Sequence, residues 1–167
     1  MADKTNASRI LDRLGIKYEL VEYAVDPEHL EASHVADALG QNIATIFKTL
    51  VLRGDKTGIF VCVVRGDHEV DLKKAAKASG NKKAAMIHLK ELQPLTGYIR
   101  GGCTSIGMKK DYPVFIDIHA MEHPMIHVSA GKRGLQLKLN PQDLCRAAKA
   151  TVSDLWQDDN QNPESYI

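Results

Sequence analysis

Ile46-Phe47-Lys48-Thr49-Leu50-Val51-Leu52 and Ile59-Phe60-Val61-Cys62-Val63-Val64 flank the stretch Arg53-Gly54-Asp55-Lys56-Thr57-Gly58. Two apolar, β-branched runs around a polar, glycine-bounded turn predict a β-hairpin. Lys48 is the one cation inside the first run. On a strand it either faces water or is aimed from a rigid element into a pocket, as a fixed charge for a phosphate or carboxylate.

Outward from the hairpin the signals alternate. Thr5 to Leu14 carries Ala7, Ile10, Leu11 and Leu14 on one helical face, and Gly15 ends it. Tyr18 to Tyr23 alternates as a half-buried strand, broken by Asp26-Pro27. Ser33 is placed to cap a helix running to Leu39, stopped by Gly40, and Asp71 to cap another over Leu72 to Ser79, stopped by Gly80. Leu89 to Leu92 reads as a helical turn. Pro113 to Ile118, Met125 to Val128 and Leu135 to Leu139 read as strands. Asn140-Pro141 starts a helix expected to reach about Ala150. The interspersed order favours an α+β fold with a mixed, partly barrel-like sheet flanked by helices. One domain over residues 1–157 is expected, followed by a polar tail, 158–167.

Composition narrows the partners. With 167 residues, 44% hydrophobic, 26% charged and a net charge of +1, the chain has the profile of an ordinary globular protein. That charge argues against wholesale binding of a phosphate backbone but leaves Lys82-Lys83, Lys109-Lys110 and Lys132-Arg133 as local basic patches. No run approaches the ~20 apolar residues of a membrane span. Three cysteines without Cys-x-x-Cys spacing suggest neither disulfides nor zinc, and a cytoplasmic setting is expected.

The segment Gly101-Gly102-Cys103-Thr104-Ser105-Ile106-Gly107-Met108-Lys109-Lys110 nearly satisfies a phosphate-loop pattern. Met108 stands where that motif requires lysine, so a nucleotide-triphosphatase reading fails. What remains is a glycine-rich turn whose backbone can approach a ligand, and Ser129-Ala130-Gly131-Lys132-Arg133-Gly134 is a second of the same kind. Cys103, inside the first loop, is the cysteine with a claim to reactivity. His119, His123 and His127 stand four apart, but Pro124 breaks any helix that would align them, so no metal site is expected. Gly-x-Ser-x-Gly is absent.

Several motifs in order give the chain a resemblance to a known family. They are Phe47-Lys48-Thr49-Leu50, Val70 to Ala78, Thr96-Gly97-Tyr98-Ile99-Arg100-Gly101-Gly102, Ile106-Gly107-Met108-Lys109-Lys110, and Val128 to Leu135. Together they resemble the YbaK/EbsC family of free-standing aminoacyl-tRNA deacylases, related to the editing domain inserted in bacterial prolyl-tRNA synthetases.

The resemblance implies removal of a mischarged amino acid, typically cysteine from tRNA for proline, without a cofactor. Its partners are the aminoacyl-tRNA acceptor end and in some cases prolyl-tRNA synthetase. Lys48 matches the family's essential lysine, held to grip the 3′-terminal adenosine. Gly101-Gly102 and Ser129-Ala130-Gly131 match segments enclosing the aminoacyl group, and Tyr23 matches a pocket tyrosine. Backbone N–H groups there would meet the charge that develops on the ester carbonyl. For a cysteinyl ester the family's route uses the substrate's own thiol, releasing a cyclic thiolactone.

Five positions depart from the family pattern. Thr104-Ser105 stands where many members have Ser-Pro, Ala130 where glycine is frequent, Gln136 where some carry aspartate, and Cys103 where others are aliphatic. Ala130 is expected to add a methyl beside the pocket, and Lys132 and Gln136 to contact substrate. The alternatives left open are a deacylase for alanine or another small residue, and a non-catalytic module binding tRNA or a synthetase.

Overall fold

Thr5 opens the first helix through a reciprocal cap. Its Oγ1 accepts the Ser8 N–H at 3.2 Å while its own N–H donates to Ser8 Oγ at 2.8 Å. The computed structural model describes residues 3–157, so the expected tail at 158–167 lies outside the described residues. The elements in order are α1 (Asn6–Arg13), β1 (Glu19–Glu22), α2 (Ala32–Leu39), β2 (Phe47–Gly54), β3 (Gly58–Arg65), α3 (Leu72–Ser79), β4 (Ala84–Met86) and α4 (Leu92–Thr96). There follow β5 (Val114–Asp117), β6 (Ile126–Ser129), β7 (Leu135–Leu139), α5 (Pro141–Ala148) and β8 (Ala150–Ser153).

The hairpin forms as expected, β2 and β3 pairing antiparallel from Phe47–Arg65 to Gly54–Gly58. They lie in a five-stranded sheet of order β4-β2-β3-β5-β8, antiparallel on the hairpin side and parallel across β3-β5-β8. A second, antiparallel sheet has the order β1-β7-β6. Among the described residues the sheets share one bridge, between Ile46 and His127. The fold is therefore α+β with a mixed sheet, and no barrel closes.

Alternation assigns the faces. Phe47, Val51, Val61, Val63, Val114 and Ile116 turn toward Ile126, Val128, Leu135, Leu137 and Leu139 in the main core, with Leu11 of α1 and Leu144 of α5. The opposite face of the larger sheet buries Leu52, Phe60, Cys62 and Val64 beneath Ala75 of α3 and Leu155. Asp71 holds α3 in place, its Oδ1 accepting the Lys73 and Lys74 N–H groups at 3.0 Å.

Three local expectations change. Glu31, not Ser33, occupies the N-cap of α2, and Ser33 lies within the helix. The helix begun by Asn140 ends at Ala148, because Lys149 takes φ 54° and redirects the chain into β8. That strand and β4 are too short to be read from the sequence alone, at four and three residues; each forms against an edge that the rest of the fold presents.

Candidate active site

The open seam between the sheets is the candidate site. After the Ile46–His127 bridge, β2 and β6 part, and a cavity of about 530 Å³ lies between them. Lys48 and Thr49 line it from β2, and Ser129 and Gln136 from the smaller sheet. The volume falls in the ~300–1,000 Å³ range of small-molecule sites.

Strand geometry sets this wall. β4 pairs with β2 only at Leu52–Gly54, and the Ile87 N–H donates to the Val51 carbonyl at 3.2 Å. Residues two apart present their backbone groups to the same side, so Thr49 presents its N–H and C=O to the cavity. Its Oγ1 is also buried without a partner. Across the gap, β7 sends Leu135, Leu137 and Leu139 into the core, which turns Gln136 the other way. Gln136 pairs in register with Ser129 and is 5% exposed, yet its Oε1 has no hydrogen bond. A buried acceptor without a donor is costly, roughly 1–3 kcal/mol, and marks where a ligand's N–H or O–H would be welcome.

The two glycine loops pack directly together. A Cβ on Gly102 would stand 3.0 Å from Lys132 Cα and 3.2 Å from Arg133 N. Gly131, at φ 106°, brings its backbone against the ring of Tyr98, whose hydroxyl donates to the Ile106 carbonyl at 2.5 Å. Three of the loop amides are engaged: Gly102 N–H to Ile99 O at 2.9 Å, Ala130 N–H to Leu135 O at 3.0 Å, and Gly131 N–H to Ser129 Oγ at 3.1 Å. The N–H groups of Gly101 and Cys103 make no hydrogen bond to a described residue.

Lys48, Arg100 and Glu31 are the charged residues among those lining the cavity. Lys48 is half-buried, and its Nζ makes no ion pair or hydrogen bond with a described residue. Arg100 is a second lining cation, and Glu31 lies at the margin beside His29, which it meets at 3.2 Å. Burial pushes the Cys103 thiol up to about 12, so at neutral pH it is protonated and a poor nucleophile.

A sequence profile of the aminoacyl-tRNA editing domain matches residues 26–147. The chain belongs to that family. EbsC of Enterococcus faecalis, named for a proposed Cys-tRNA(Pro)/Cys-tRNA(Cys) deacylase activity, is 52% identical over 152 residues, covering 91% of this chain and 93% of EbsC. The crystal structure of a proposed trans-editing enzyme for prolyl-tRNA synthetase superimposes with a TM-score of 0.79 at 25% identity, over 93% of this chain and 100% of the other. A hypothetical protein shares the fold with a TM-score of 0.82 at 21% identity, over 90% of this chain and 98% of its own.

The editing domain gathers part of the expected residue set around the cavity. Lys48, Tyr23, Gly101, Cys103, Ser129 and Gln136 line it. Gly102, Thr104, Ser105, Ala130, Gly131 and Lys132 do not. Ala130, expected to add a methyl beside the pocket, is fully buried in the main core instead. Thr104 and Ser105 are buried behind the loop with unpartnered hydroxyls, and Lys132 is exposed. Arg100 and Thr49 were not foreseen as lining residues, although both lie inside the motifs that carry the family resemblance.

His119, His123 and His127 do not converge. His119 Nδ1 meets Asp117 Oδ2 at 2.7 Å, His123 packs edge-on to Phe47, and His127 is buried beside Thr45 Oγ1 at 3.3 Å. Asp117, His119 and Asp154 could bring ligand atoms within 4.8 Å of one another. Asp117 is already engaged, its Oδ1 by the Leu155 N–H at 2.8 Å and its Oδ2 by His119. Asp154 pairs with Lys74 at 3.0 Å. This cluster ties the chain after β8 to the larger sheet. No described helix is long and apolar enough to cross a membrane.

Proposed function

We propose that the protein removes cysteine from mischarged tRNA for proline, acting in the cytoplasm on aminoacyl-tRNA that prolyl-tRNA synthetase has released. The observation that carries this reading is a cavity with a fixed cation and unpartnered polar groups but no activated nucleophile. Cys103 is held as a thiol, and Ser129 Oγ accepts the Gly131 N–H with no histidine beside it.

Such a site suits an ester whose attacking group arrives with the substrate. The cysteinyl sulfur attacks its own carbonyl carbon, the bond to the ribose oxygen breaks, and that oxygen takes up the proton the thiol gives up. The product is a cyclic thiolactone and free tRNA. Intramolecular attack supplies proximity without an enzyme nucleophile. Lys48 holds the acceptor end, and Gln136 Oε1 accepts from the substrate's α-ammonium. The free N–H groups of Gly101 and Cys103 meet the carbonyl oxygen as it gains charge, each worth about 3 kcal/mol if well placed.

The test is deacylation of Cys-, Ala- and Ser-charged tRNA by the purified protein beside Lys48→Ala. Cysteine release that falls at least a hundredfold in the variant supports the assignment. Equal rates would remove Lys48 from the mechanism. Alanine release as fast as cysteine release would exclude the thiol route.

A further inference from the structure

The two loops that pack against each other carry several basic residues, and one of these lines the cavity. Arg100 lines the cavity, and its carbonyl accepts the Arg133 Nε–H at 2.8 Å. Lys132 adjoins Arg133 on the loop that packs against Gly102. Lys109 lies across Gly97, where an added Cβ would meet its Cγ at 3.4 Å, and Lys110 follows. Tyr98 joins the halves, following Gly97 in the chain and touching Gly131 with its ring. These contacts bring Arg100, Lys109, Lys110, Lys132 and Arg133 onto adjoining segments as a strip of cations, four of them exposed and Arg133 half-buried.

None of the five is in an ion pair with a described residue, whereas Lys4, Arg53, Arg65 and Lys74 are. Lys82-Lys83 does not join the strip. Its backbone N–H groups donate to Asp55 Oδ1 at 3.0 and 3.1 Å, at the hairpin turn. That turn lies roughly 20 Å along β2 from Lys48, at about 3.3 Å per residue.

We infer that this strip is the track for the phosphate backbone of the tRNA acceptor stem, leading the 3′ end past Arg100 into the cavity. The inference rests on the proposed tRNA substrate and adds where the stem lies. Unpaired, exposed lysines and arginines neutralise phosphates and release counterions, which gives affinity without sequence preference. A small local strip also fits a chain whose net charge is only +1.

The experiment compares Lys109→Gln/Lys110→Gln with Lys82→Gln/Lys83→Gln and the unaltered protein across a salt series. Each is given Cys-tRNA, the cysteinyl ester of adenosine, and uncharged tRNA for binding. The expected result is a loss of tenfold or more in kcat/KM on Cys-tRNA for the loop variant. Its salt-dependence slope should fall by about one for each charge removed. Cleavage of cysteinyl-adenosine, which carries no phosphate, should be unchanged. Equal losses in the Lys82–Lys83 variant, or a loop variant with unaltered tRNA binding and salt slope, would overturn the inference. If the unaltered protein cleaves neither ester, the proposed function falls, while binding of uncharged tRNA still decides the track.

Discussion

Ser129 and Gln136 stand opposite each other in the register of β6 and β7, with their polar groups in contrasting states. Ser129 Oγ accepts the Gly131 N–H at 3.1 Å, whereas Gln136 Oε1 is buried with no donor. One residue shapes the loop; the other is left for a ligand.

Gln136→Leu should therefore separate stability from activity. Removing an unsatisfied buried carbonyl is expected to raise unfolding free energy by about 1 kcal/mol. The same change should raise KM for Cys-tRNA at least tenfold, while Gln136→Glu, which keeps an acceptor, retains activity. Denaturant melts and steady-state kinetics on the three proteins check both halves. A destabilised leucine variant with normal KM would show that Gln136 serves the fold alone.

Cys103→Ala is expected to keep kcat within about threefold. The thiol is pushed up to about 12 by burial, so it contributes packing and no nucleophile. Loss of the buried sulfur should cost about 1 kcal/mol of stability. A fall of a hundredfold or more in a variant that remains folded would make Cys103 a participant in the chemistry.

Gly102→Ala tests the contact between the loops. The new methyl would meet Lys132 Cα at 3.0 Å and Arg133 N at 3.2 Å, both backbone atoms that cannot swing aside. A cost of about 1–3 kcal/mol is expected from overpacking, with reduced turnover as the Gly101 and Cys103 amides shift. Gly58→Ala, in the distant hairpin turn, should lose stability through its φ of 77° and leave turnover per folded molecule unchanged.

Acid should weaken the fold through His127. Burial, with Lys138 nearby, holds its folded pKa below the ordinary 6.5, against smaller opposing effects from Thr45 and Glu19. Below about pH 6.5 the unfolded chain then binds more protons at this position than the folded one, so stability falls as pH drops through that value. Urea midpoints at pH 7.5 and 5.5 should differ less in His127→Gln than in the unaltered protein. Parallel pH dependences would show that His127 does not carry the effect.

The hairpin, the Asp71 cap and the Asn140-Pro141 start were legible because each depends on neighbours in the chain. β8 was not, since Ala150–Ser153 becomes a strand only by lying parallel to β5, a partner more than thirty residues away. Ala84–Met86 is equally weak as a strand by itself and forms on the part of β2 that lies beyond the cavity. Lys48 stood out as a cation among apolar residues. Thr49 did not, because a threonine in a strand is ordinary until the neighbouring strand is seen to turn away. Arg100 was hidden within a motif dominated by its glycines, and Ala130 was misplaced because only the fold shows which side of its loop meets the core.

Among the described residues the one bridge between the sheets, Ile46 to His127, works like the spine of a partly opened book. The distance between Thr49 on one page and Gln136 on the other depends on the angle at that spine. Under the proposed function, room for a small or a larger aminoacyl group would then follow the inclination of the sheets as well as the lining. Thr45 and His127, which meet at 3.3 Å beside the spine and line no part of the cavity, are positioned to alter that preference without touching substrate.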